Sequence, residues 1–143
     1  MTIASITTDI NIGPFKIPSN GQNMIMNNYA QRKNFKVEFV IPEPIMSNRL
    51  LTLQWCHKDY KFSLAILCSI HQLPKEEKHL NDLATTMDEV EFHFALEGIS
   101  GKGKEFLVKC AKEATIFQNT EKLDNSKADW LSLFNLSKSR YEN

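Results

Sequence analysis

A nearly unbroken apolar run at residues 62–67, Phe-Ser-Leu-Ala-Ile-Leu, constrains this chain more than any other stretch. A strand buried on both faces cannot alternate apolar and polar residues, so it reads as a continuous hydrophobic run, and such strands belong to parallel sheets covered by helices. The run empties into Cys68-Ser69-Ile70-His71-Gln72-Leu73-Pro74, and a second apolar run, at residues 90–96, empties into Glu97-Gly98. Parallel-sheet proteins carry their working residues on loops at the carboxyl ends of strands. These two clusters are where a site is expected.

The remaining elements follow from local pattern. Residues 3–9 read as a first strand, followed by a loop through Gly13, Pro14 and Pro18. Ser19 or Asn20 is placed to cap a helix carrying Ile25 and Tyr29 on one face and ending near residues 32–34. Residues 36–41 form a strand on the strength of Val37, Phe39 and Val40, and Pro42-Glu43-Pro44 breaks it. Ser47 is expected to cap a second helix with Leu50, Leu51, Leu53 and Trp55 as its apolar positions and Asp59 and Tyr60 at its end. Pro74 sits in the first turn of a third helix whose stripe is Leu80, Leu83, Ala84 and Met87. Residues 98–103 read as a flexible turn, 104–117 as a fourth helix, and 119–125 as a polar link. Ser126 and Asp129 have capping-box spacing before a last short helix with Trp130, Leu133 and Phe134.

Strands alternating with helices at these spacings predict an α/β fold. It is expected to have three layers, with a mostly parallel four-stranded sheet flanked by helices, flavodoxin-like or resolvase-like. A length of 143 residues suits one domain, with 119–143 as a C-terminal helical extension.

The formal net charge is zero, so no global field draws the chain to nucleic acid or to an anionic surface. Lys102, Lys104, Lys109 and Lys112 are interspersed with Glu105 and Glu113 and read as a solvated helix face. No apolar stretch approaches the ~20 residues needed to span a bilayer, and the N-terminus lacks the pattern of a signal peptide. Three scattered cysteines read as free thiols in a reducing compartment, so a cytoplasmic location is expected.

No glycine-rich dinucleotide or phosphate fingerprint is present, and no cofactor is expected. Gly101-Lys-Gly-Lys at a helix start reads as a surface turn before it reads as an anion site. The four histidines lack ligand spacing, so no metal is expected. Ser19 follows the first loop in the order a resolvase-type domain would use for a nucleophile. Phosphoryl transfer needs positive charge, however, and the chain has only Arg32, Arg49 and Arg140, so Ser19 reads first as a helix cap. His71 can move a proton near neutral pH. Glu97, at the end of a buried strand, suits a general base or a structural acceptor in equal measure. Gln22, Asn23, Ser69, Gln72 and Glu43 are polar groups suited to positioning hydroxyls. His93, in mid-strand, reads as a core or interface residue.

The stretches Ile17-Pro18-Ser19-Asn20-Gly21-Gln22-Asn23, Glu43-Pro44-Ile45-Met46, Ser69-Ile70-His71-Gln72-Leu73-Pro74 and Glu91-Phe92-His93-Phe94-Ala95-Leu96-Glu97 resemble the sporadic carbohydrate cluster protein family, small proteins of bacterial surface-polysaccharide gene clusters. The likeness spans residues 13–99. It implies a context of lipopolysaccharide or other surface glycan synthesis and does not imply a reaction. The family pattern has Pro-Gln before the Gln-Asn pair, where this chain has Pro18-Ser19, and an apolar residue where it has His71.

The expected function is therefore a small enzyme acting on a sugar or nucleotide-sugar precursor, with Glu97 and His71 catalytic and Gln22, Asn23, Ser69, Gln72 and Glu43 binding substrate. The alternative is a non-catalytic carbohydrate-binding or assembly subunit. The expected partners are a carbohydrate ligand and a second copy of the chain, without nucleic acid or membrane insertion. A resolvase-like DNA enzyme is the third reading, disfavoured by neutral charge and the sparse arginines.

Overall fold

The computed structural model describes residues 2–7, 9–12, 15–43 and 49–126. Its strands are β1 (Thr2–Thr7), β2 (Asp9–Ile12), β3 (Phe15–Pro18), β4 (Val37–Glu43), β5 (Leu64–Leu67), β6 (Glu91–Phe94) and β7 (Ile99–Gly101). Its helices are α1 (Ser19–Arg32), α2 (Leu51–Tyr60), α3 (Glu77–Thr86) and α4 (Gly103–Ser126), with a single 3-10 turn at Ile70–Gln72. Five strands form one sheet in the order β4-β1-β5-β6-β7. The first four are parallel, and β7 closes the edge antiparallel to β6. The chain leaves β1 for β4 on one side and then returns to β5 on the other. The strand order therefore reverses between β1 and β5, where sheets of this kind open a crevice.

The apolar run dictates the layering. Ala65 and Leu67 point to one face and Ile66 to the other, and all three are fully buried. The larger core joins Ile3, Ile41, Ala65, Leu67, Phe92 and Phe94 to Leu53 of α2, Leu80, Leu83 and Ala84 of α3, and Leu107, Cys110 and Ala114 of α4. The smaller core, on the opposite face, joins Ile66, Cys68 and Ala95 to Met26, Tyr29 and Ala30 of α1 and Ile10 of β2. The fold is thus three-layered, with a mixed and mostly parallel sheet between helices.

Several elements differ from the pattern reading. The loop before the first helix contains the antiparallel hairpin β2–β3, with Asp9 opposite Pro18 and Ile12 opposite Phe15. Ser19 is the first residue of α1; the cap position is Pro18, which supplies no side-chain bond. β4 continues through Pro42 to Glu43 because it lies at the sheet edge, where a missing N–H breaks no ladder. Its register slips between Thr2 and Ile3, leaving Glu38 as an extra residue. Trp55 is 59% exposed and does not belong to the apolar face of α2.

Residues 98–103 include β7. Gly98 takes a left-handed conformation at the preceding turn, and a Cβ at Gly101 would lie 2.7 Å from the Phe106 ring. The fourth helix runs without a break through the expected polar link to Ser126. Ser47, Asp129, Trp130, Leu133 and Phe134 lie outside the described residues. No helix among the described residues is long and apolar enough to cross a membrane.

Candidate functional site at the strand ends

The site is built on the loop that leaves β5. Ser69 is fully buried and extended, the geometry of a residue entering a helical turn. Its hydroxyl accepts from the His71 N–H at 3.2 Å and donates to Glu97 Oε2 at 2.8 Å. Glu97 Oε1 accepts the Ile70 N–H at 2.9 Å. Gln72 reaches back, its Oε1 accepting the N–H groups of Cys68 at 2.6 Å and Ser69 at 3.2 Å. Ser69 and Gln72 thus form a capping box around one 3-10 turn. The turn after β6 is tied to the same loop, since the N–H groups of Ala95 and Leu96 donate to the carbonyls of Leu67 and Cys68. The two polar clusters, 28 residues apart at Ser69 and Glu97, are one hydrogen-bonded unit.

Ser69 and Glu97 have the separation of a nucleophile and its base. The hydroxyl is 0% exposed and already accepts a main-chain bond, so the pair holds the loop. Glu97 itself is exposed, which is not the buried setting expected of a general base. His71 is half-buried, with its ring edge-on to Phe117 of α4 at 5.6 Å.

The other polar residues fall into separate structural settings. Gln22 is fully buried, and its amide nitrogen donates to the Ile17 carbonyl at 3.1 Å, fastening the hairpin to α1. Asn23, beside it, is half-buried. β2 packs against the 3-10 turn, so the hairpin brings the start of α1 toward the strand-end cluster. Glu43 lies apart, at the sheet edge. Its carboxylate accepts the N–H groups of Thr52 at 3.2 Å and Leu53 at 2.7 Å, capping α2 from the end of the strand that precedes it. Burial raises the Glu43 carboxyl above its ordinary value, and the bonds from Leu53 and Thr52 oppose that shift. Burial, with the Glu97 charge, pushes the Cys68 thiol up to about 12.

Pattern reading left out a second polar chain beside the cluster. Tyr29 Oη lies 2.7 Å from His93 Nδ1, and His93 Nε2 lies 3.2 Å from Glu91 Oε2. Tyr29 and Arg32 of α1, with Lys33 just past its end, also line a hollow against Ala95, Leu96, Glu97 and Gly98. The spacing that puts Tyr29 on one helix face with Ile25 carries no mark of this pairing. Among the described residues no group of three or more His, Cys, Asp or Glu side chains converges as a metal site.

No family model matches the chain, and no curated protein matches it. Its fold is that of two solved structures. The N-terminal catalytic domain of TP901-1 integrase is 11% identical with a TM-score of 0.57, covering 87% of this chain and 96% of that one. A resolvase family site-specific recombinase from Streptococcus pneumoniae is 14% identical with a TM-score of 0.54, covering 97% of each chain. The class defined is therefore the resolvase–integrase catalytic-domain fold. At these identities the likeness is one of fold.

This finding corrects the expected membership in the sporadic carbohydrate cluster family. It also overturns the readings that hung on it: a sugar or nucleotide-sugar enzyme, a carbohydrate-binding or assembly subunit, a polysaccharide context, and a carbohydrate ligand to the exclusion of nucleic acid. The physical reason lies in what the shared motifs encode. Ser69-Ile70-His71-Gln72 is a self-satisfying cap and Glu97 is its anchor, so these stretches describe a loop and not a substrate. Net charge is a sum over the chain and says nothing of where local groups such as Arg32 and Lys33 are placed.

Proposed function

We propose that this chain is a resolvase-type domain that acts on DNA, engaging the phosphodiester backbone at the carboxyl ends of the parallel strands. The observation that carries this reading is the fold shared with a recombinase over 97% of both chains. A cytoplasmic location suits such a substrate.

The local chemistry supports a role for the start of α1. The first N–H groups of a helix have no partner within it, and they favour anions such as phosphate. Here the cap residue is Pro18, which adds no side-chain acceptor, and the first turn holds no acidic residue. Ser19 stands in that turn, half-buried, with a hydroxyl of the type that attacks phosphorus when positive charge receives the displaced oxygen. Ser69 and Gln72 hold the neighbouring loop rigid, Glu97 anchors it, and His71 stands beside it as a proton-carrying group. In this reading Gln22 fixes the hairpin to the helix start, and Glu43 fixes α2.

The test is incubation with supercoiled plasmid, quenched with denaturant. A nicked or relaxed product joined covalently to the protein is expected. Ser19→Ala abolishes it, while Ser19→Cys preserves the linkage through sulfur. Intact plasmid with no linked protein at any protein excess contradicts strand chemistry. Linkage surviving in Ser19→Ala contradicts the role of Ser19.

A further inference from the structure

The hollow beside Glu97 lies at the far end of α1 from Ser19. We propose that it is a seat for one phosphate of the DNA backbone, gripped by Arg32 and Lys33 against the β6–β7 turn. This rests on the proposed action on DNA and adds a contact that the fold likeness does not specify.

Four observations carry it. Neither Arg32 nor Lys33 belongs to any ion pair among the described residues, whose pairs are Arg49–Asp82, His79–Glu76 and His93–Glu91. Both cations line the hollow and are open to solvent. An arginine fork and a lysine point charge side by side are the usual means of holding a phosphate oxygen.

Lys33 is also not a loose surface lysine. Its ammonium lies 5.9 Å from the centre of the Tyr29 ring, within the range of a cation–π contact. That ring is 4% exposed, and its hydroxyl is held by His93 at 2.7 Å. The His93 ring in turn packs edge-on against the Phe35 ring at 5.0 Å. The platform beneath Lys33 is therefore part of the core.

The negative groups nearby are already engaged. Among the described residues, Glu97 is the only acidic one lining the hollow. Both its carboxylate oxygens accept bonds, from Ser69 and Ile70, which draw it toward the β5 loop. The end of a helix carries partial negative charge on its last carbonyls. Here the carbonyls of Tyr29, Ala30 and Gln31 accept from Lys33, Phe35 and Asn34, with Asn34 in the left-handed conformation that closes such an end. The anion would meet two cations and a set of satisfied acceptors.

The experiment measures affinity for a short labelled duplex across a salt series, for the wild type, for the double variant Arg32→Ala with Lys33→Ala, and for Lys109→Ala with Lys112→Ala on α4. Circular dichroism and thermal melting confirm that each variant is folded. Each lost phosphate contact lowers the slope of log K against log salt by about 0.9. The expected result is a wild type with a marked slope and an Arg32/Lys33 variant whose slope falls by about 1, with affinity lowered alike on unrelated sequences. A wild type that binds with a marked slope, and an Arg32/Lys33 variant that keeps it, overturns the seat and leaves the DNA reading standing. A wild type that binds no duplex at low salt overturns both.

Discussion

Glu97 does its work through two acceptor bonds, one from a hydroxyl and one from a main-chain N–H. Bonds to a charged group are worth about 1.5–3 kcal/mol each when well formed, and the solvent exposure of Glu97 places it low in that range. Glu97→Ala is expected to lower unfolding free energy by about 2 kcal/mol, read from the denaturant midpoint. Glu43 makes a different prediction. Its folded-state value is raised by burial above the ordinary 4.5, so the native state binds that proton more tightly than the unfolded chain. The stability this contributes is fully present below 4.5 and is lost as pH rises through the folded value. Wild type should therefore gain stability relative to Glu43→Gln as pH falls from 7 toward 4.5, and a constant gap across that window contradicts the assignment.

The cysteines give a third residue-scale test. With Cys68 pushed up to about 12 and Cys110 to about 11, both buried, neither holds thiolate at pH 8. A disulfide reagent at that pH should leave both unmodified in the native protein and titrate them after unfolding. Rapid native labelling at Cys68, located by peptide mapping, contradicts the packing of the β5 end.

The bond between Tyr29 and His93 pins α1 to β6. Tyr29→Phe removes the hydroxyl and leaves His93 Nδ1 buried without its partner. The cost should be about 1–3 kcal/mol, with little loss of apolar contact. Phe92→Ala, which opens a cavity in the larger core, should cost about 3–5 kcal/mol. A Phe92→Ala variant as stable as wild type contradicts the core described for β6.

The elements themselves were unevenly legible. β5, α3 and α4 could be read because a buried strand and an apolar stripe each leave a period, and Leu80, Leu83, Ala84 and Met87 are all buried as their spacing requires. The hairpin was not read because Gly13, Pro14 and Pro18 mark a turn without saying that strands flank it. β4 was cut short at Pro42 because nothing local reveals that this strand lies at an edge. β7 is three residues long and carries no period at all. α4 outran its expected end because helix propensity along residues 118–126 is masked by polar composition.

At the scale of the whole molecule, the adjacency of the two strand ends is legible in the sequence and the roles of their residues are not. Ser69, Gln72 and Glu97 lie together because the carboxyl ends of neighbouring parallel strands must adjoin. What they do there depends on which donors meet which acceptors, and that is set by loops of irregular shape. Gln22 and Gln72 looked like ligand-binding amides, and each bonds to the chain's own backbone. The carbohydrate reading rests on short sequence likenesses that the fold does not share, and a neutral net charge and three arginines describe a sum over the chain, not the placement of its cations.

The central claim, that this resolvase-type fold acts on DNA, is tested most directly by equilibrium binding of the wild-type chain to duplex DNA. Submicromolar affinity is expected at about 50 mM salt, falling at least tenfold by about 200 mM as counterions are released. Binding that is absent at the lower salt, or indifferent to salt across that range, contradicts it.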